Sequence, residues 1–95
     1  MKEKIKKLVN LFLEEVDVEI KKFKSGKQNR EDTAWNIVNL AIKHKLLGKE
    51  DIDKNIKKIL ELAMDLEVPD DIYKGDPTKD MENLISLIKE IKEKL

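Results

Sequence analysis

The sequence predicts an all-α fold, a compact bundle of four main helices at about 2–24, 30–47, 49–67 and 77–95, with a short helical turn over 69–74. Three observations carry this. Apolar residues recur three and four apart in each long segment, the spacing that gathers side chains on one face of a helix. The two-residue alternation of a half-buried strand is absent throughout, and no internal repeat is evident. Ser25-Gly26, Gly48, and the stretch from Val68-Pro69 to Asp76-Pro77 interrupt the periodicity where helices should stop and start. The pattern fits antiparallel or partly orthogonal packing, and 95 residues suit one domain, 1–95.

In the first segment Ile5, Leu8, Val9, Phe12, Leu13, Val16, Ile20 and Phe23 fall in one arc. Glu3 with Lys7 and Asp17 with Lys21 add pairs at four-residue spacing, worth a few tenths of a kcal/mol each. Gly26 ends the helix, because glycine enters the left-handed region without a side-chain penalty. Asn29 is the expected N-cap of the second helix, with Glu31 and Asp32 in the first turn, where the helix dipole favours negative charge.

The run Thr33 to Ile42 carries no charge in a chain that is 42% Asp, Glu, Lys and Arg. On a helical wheel Ala34, Trp35, Ile37, Val38, Leu40, Ala41, Ile42, Leu46 and Leu47 spread round most of the circumference, leaving Asp32, Asn36, Asn39 and Lys43 for water. This helix is therefore expected to be the buried hub, with Trp35 in the core and Gly48 as its stop. The third helix should start near Lys49 with Glu50, Asp51 and Asp53 in its first turn. Its core set is Ile52, Ile56, Ile59, Leu60, Ala63 and Leu66, widened by Leu62 and Met64. Pro69 forces the preceding residue out of helical geometry. In the connection that follows, Ile72 and Tyr73 are expected to cover the open end of the core. Asp76 then caps the fourth helix with Pro77 at its first position, and Met81, Leu84, Ile85, Ile88, Ile91 and Leu95 form its stripe.

Twenty basic residues balance twenty acidic ones, so no net field draws in nucleic acid or an anionic membrane. No cysteine is present, which removes disulfides, thiolate catalysis and thiolate-held metal, and suits a reducing compartment. The longest uncharged run is about half a membrane span, and Met1 to Leu13 lacks the features of a signal peptide, so a cytoplasmic protein is expected. Lysine supplies every basic side chain but Arg30. A composition rich in Lys, Glu and Ile fits a thermostable protein, an AT-rich genome or a designed bundle.

Few residues suggest chemistry. His44, the single histidine, borders the apolar arc near a helix C-terminus, with no nucleophile or second ligand at helical spacing, and reads as structural. Acidic residues cluster from Asp65 to Glu82, but no EF-hand register fits. A loop begun at Asp71 puts Asp76 where glycine is needed, and one begun at Asp70 leaves Met81 at position twelve. A helix-turn-helix would present Glu50, Asp51 and Asp53 to DNA, which repels them. With no phosphate loop, paired-carboxylate motif or nucleophile elbow, the sequence points to no enzyme, cofactor, metal or small-molecule substrate.

What remains is surface. Leu11 and Val18 lie seven apart on a line about 120° from the helix-one stripe. Leu87 is off-axis on helix four, and Tyr73 sits in the last connection. These four form the candidate interaction surface of a small non-catalytic module for protein partners or homo-oligomerisation. Two alternatives stand beside it: a designed or redesigned bundle with no evolved activity, and a weak nucleic-acid binder using the basic connection Lys21, Lys22, Lys24, Lys27 and Arg30.

Overall fold

The computed structural model describes residues 3–46 and 54–94. Within them four α-helices form: α1 (Glu3–Lys24), α2 (Arg30–Lys43), α3 (Lys54–Leu66) and α4 (Pro77–Lys94). The expected stop at Gly48, the acidic start at Lys49 to Asp53, and the core positions Leu47, Ile52 and Leu95 lie outside the described residues.

The helix ends follow the capping chemistry legible in the chain. Gly26 takes φ +78°. Its N–H donates to the Phe23 carbonyl at 3.1 Å and that of Lys27 to the Lys22 carbonyl at 3.0 Å, the paired bonds of a Schellman turn. Asn29 accepts from the Asp32 N–H at 2.7 Å, and Asp76 from the N–H groups of Thr78 and Lys79 at 3.1 and 3.4 Å. Each such cap is worth about 1 kcal/mol. Between α3 and α4 the chain makes a hydrogen-bonded turn, with the N–H groups of Ile72 and Tyr73 both donating to the Pro69 carbonyl at 3.0 Å.

Side-chain bridges fix the direction of each helix pair. Glu19 meets Asn36 while Glu15 meets Lys43 and His44, so α1 and α2 run antiparallel. Arg30 at the start of α2 reaches Leu66 at the end of α3, and Asn55 at the start of α3 reaches Glu90 near the end of α4. Lys24–Glu82 (2.8 Å) and Lys92–Asp17 (2.9 Å) run α4 antiparallel to α1 and close the ring through its looser seam. The four helices thus alternate in direction around a shared core. That core contains Phe12, Leu13, Ile20, Ile37, Ile56, Ile59, Leu66, Met81, Leu84, Ile88 and Ile91, all essentially without solvent exposure.

In such a ring each helix has two neighbours and one solvent side, which overturns the expectation of a central hub. The buried face of α2 is Arg30, Thr33, Ala34, Ile37, Val38 and Ala41, an ordinary stripe at three- and four-residue spacing. Trp35 and Ile42, seven apart, stand outside it and are 56% and 55% exposed. Met64 (45%) and Ile72 (59%) are likewise outside the core, so Ile72 does not cover its end.

Helix two also stops earlier than Gly48. His44 is its C-cap, and Lys45 takes the left-handed position with φ +56°. The Lys45 N–H donates to Ile42 and that of Leu46 to Ala41, the same turn as at Gly26 but without glycine. Leu46, 1% exposed, supplies the reason: the turn aims it into the core. Beside this turn the Glu15 carboxylate accepts from Lys43 and contacts the His44 ring at 3.2 Å. Desolvation raises the Glu15 pKa, but the bonds and charges of Lys43 and His44 outweigh it, and the net shift is downward. Its contribution to stability is therefore present above the ordinary carboxylate pKa and lost as pH falls through the lowered one.

A lysine in left-handed geometry costs roughly 1–2 kcal/mol that glycine would not. Lys45→Gly is accordingly expected to raise stability by roughly 0.5–1 kcal/mol, after glycine's greater unfolded-state entropy is subtracted, as read from the urea midpoint at unchanged slope.

Candidate functional site

The site is built by Arg30. As the first residue of α2 it stands at the end of a helix where a cation is not favoured, and Glu31 and Asp32 follow it. Its side chain nevertheless leaves water and is 5% exposed. One guanidinium nitrogen donates to the carbonyl of Leu66, the last residue of α3, and another to Asp70 Oδ1 at 2.8 Å. The Tyr73 ring lies 4.1 Å from the guanidinium carbon. Arg30 thereby satisfies a carbonyl that α3 cannot pair internally, and places a cation at that helix's negative end.

Tyr73 is held in turn by donating its hydroxyl to Asp80 on α4. Desolvation first, then this hydrogen bond and the Asp80 charge, push the phenol up to about 12. The stability that goes with the protonated phenol is full below pH 10 and lost as pH rises from there toward 12. Gly75 makes room for the contact, since a methyl group there would stand 2.8 Å from Tyr73 Oη and 2.9 Å from Asp80 Oδ2.

Pinning Leu66 and Asp70 leaves Glu67, Val68 and Pro69 no course but along the start of α2. They line, with Glu31, Asp32 and Trp35, an open groove of about 500 Å³. The indole stands half out of solvent on one wall, Val68 and Pro69 form another, and three carboxylates surround them. One Glu67 oxygen, Oε2, is closed off from solvent yet accepts no hydrogen bond. At 100° per residue, Trp35, Val38 and Ile42 share the α2 edge that faces α3, and Leu60 and Met64 share the opposing edge of α3. An apolar strip therefore continues from the groove along the α2–α3 seam.

The residues singled out in the sequence are not brought together. Leu11 and Val18 are 49% and 51% exposed on the outer side of α1. Leu87 is half-buried against the core, on the edge of α4 turned toward α3 rather than α1. Tyr73 is half-buried and engaged by Arg30 and Asp80. The basic connection loses Arg30 to the clamp, because a buried guanidinium bonded to Leu66 and Asp70 is not on the surface. Lys22 and Lys24 pair with Glu19 and Glu82, leaving Lys21 and Lys27 beside them. His44 caps α2 and contacts Glu15, a structural position. Among the described residues no three acidic or imidazole groups converge as a metal site would require, and no helix is long and apolar enough to cross a membrane.

Of the groove residues, Trp35 is hidden by the α2 wheel, which is apolar nearly all round, and Val68 and Pro69 read in the sequence only as the close of helix three. A signal existed: Ala34, Ile37, Val38 and Ala41 already complete a stripe, so Trp35 and Ile42 are surplus to it, as Leu11 and Val18 are on α1.

No family model, curated protein or solved structure matches this chain. The site must be read from its own chemistry.

Trp35, the single tryptophan, gives that reading a direct check. Its fluorescence in the folded chain is expected to be quenched by aqueous acrylamide with more than half the efficiency seen in denaturant, and Trp35→Ala to cost less than about 1 kcal/mol. A buried indole would resist the quencher, and its truncation would cost about 3–5 kcal/mol.

Proposed function

We propose that this chain is a non-catalytic protein-interaction module whose contact face is the α2–α3 seam around Trp35. The observation that carries the reading is the exposure of Trp35, Ile42 and Met64 along one seam, in a chain whose other surface is dominated by charge. Tryptophan and methionine are enriched where proteins meet and sparse on surfaces that face only water. A bundle made for stability alone gives no reason to leave them there. The outer pair Leu11 and Val18 lacks such surroundings and matches the isolated apolar residues that any surface carries. Nucleic-acid binding loses its arginine to the Arg30 clamp and two of its lysines to ion pairs. Cysteine-free composition suits the cytoplasm as the compartment.

The test is affinity capture with the native chain and with Trp35→Ala/Met64→Ser, both confirmed as helical and folded, alongside mass measurement in solution. The native chain is expected to retain a partner, or a second copy, that the variant releases. Retention of the same set by both chains would contradict the reading.

A further inference from the structure

We infer that the groove over Trp35 takes a basic peptide segment of a partner protein, with a lysine or arginine side chain laid on the indole between Glu31, Asp32 and Glu67. This rests on the interaction-module reading and narrows it to a partner chemistry.

The groove is one-sided in charge. Three of its six lining residues are carboxylates and none is basic. In the adjoining turn Arg30 and Asp70 offset each other as an ion pair, and Asp71 is matched by Lys74, so the three lining carboxylates carry the excess negative charge. The positive end of the α2 dipole and the negative end of the α3 dipole both meet the groove and oppose each other, so its three carboxylates set the sign of the field. A cation is what this field selects. The indole face is the best aromatic platform for one, and its attraction grows as the pair leaves water. Glu67 adds a carboxylate to the lining, and one of its oxygens accepts no hydrogen bond within the chain. Arginine suits all three demands, because its flat guanidinium stacks on an aromatic ring while its edge donates to carboxylates.

The apolar seam decides between a peptide and a small cation. Beyond the groove it continues through the exposed Met64 to the exposed Ile42, over the buried Val38 and Leu60, on antiparallel helices. Seven residues separate Trp35 from Ile42, which is about 10 Å along a helix. A small cation covers the indole and leaves that strip wet, whereas a segment with apolar residues next to its basic one covers both.

A second copy of this chain is the competing occupant, through Lys21 of α1 and Lys27 in the connection that follows it. Neither lysine lines the groove, so such contacts would join two different patches and build larger assemblies as concentration rises.

The experiment uses the full chain and three dye-labelled, capped peptides built of leucine alternating with arginine, glutamine or glutamate. Anisotropy reads affinity, and the Trp35 indole N–H resonance reports the place of binding. The arginine peptide is expected to bind saturably, shift that resonance, and weaken with added salt. It should bind about tenfold less tightly to Glu31→Gln/Glu67→Gln and to Trp35→Ala, each of which alters groove residues without touching the core. Equal affinity for the arginine and glutamine peptides overturns the basic specificity and leaves the interaction face standing. A mass that rises with chain concentration, lost in Lys21→Glu/Lys27→Glu, overturns it in favour of self-assembly. Absence of binding by every peptide overturns the proposal, and with identical capture by native and Trp35→Ala/Met64→Ser chains it removes the interaction reading as well.

Discussion

A single guanidinium ties the last turn of α3, the connection behind it and the first turn of α2 into one piece. Arg30 has no alternative partners once buried, and a buried cation needs both charge compensation and donors fully used. The Leu66 carbonyl is the costly part of the arrangement, because without Arg30 it would be a buried acceptor with nothing to accept, at about 1–3 kcal/mol. The bond to Asp70 contributes less, since that carboxylate is 98% exposed and water competes for it. Stacking on Tyr73 closes the remaining side, and Tyr73 is itself anchored on α4. Two helices thus meet at one side chain and a third joins through Tyr73, and the groove over Trp35 exists because the strap between Leu66 and Asp70 is tied down.

The opposite seam is held differently. Between α1 and α2, Gln28 donates to Glu19 at 2.8 Å and to Thr33 at 3.0 Å, while Asn36 donates back to Gln28 at 3.0 Å. Thr33, fully buried, donates to the Asn29 carbonyl at 2.7 Å. This network lines the α1-facing edge of α2 with polar groups that satisfy one another, and the partly buried Leu40 lies beside it. The α3-facing edge carries Trp35, Val38 and Ile42 instead. One short helix therefore has a mostly polar flank and a more apolar one, and the asymmetry is what gives the molecule a distinguishable face.

How far the chain announced this depends on the range of the interaction. Caps and turns within a few residues were plain: Asn29, Asp76 and Gly26 act as their chemistry requires. Core stripes on α1, α3 and α4 followed from spacing, with Val9, Phe12, Leu13, Val16 and Ile20 buried as their arc demanded. Burial round α2 was overestimated because a wheel records which residues are apolar but not how many neighbours a helix has. The end of α2 was misplaced because Gly48 is the obvious stop, whereas the gain from burying Leu46 places a lysine in left-handed geometry three residues earlier. Arg30 could not be read at all. Its partners lie 36 and 40 residues away, and from composition it looked like the end of a lysine-rich surface.

Because Arg30 is the only arginine, the clamp can be observed without ambiguity by nitrogen and proton magnetic resonance of its guanidinium in the native chain. Separate, slowly exchanging Nη–H signals, moved upfield by the Tyr73 ring and sharing cross-peaks with it, are the predicted result. One averaged signal exchanging freely with water at the position of unstructured arginine would contradict the clamp, and the groove built on it.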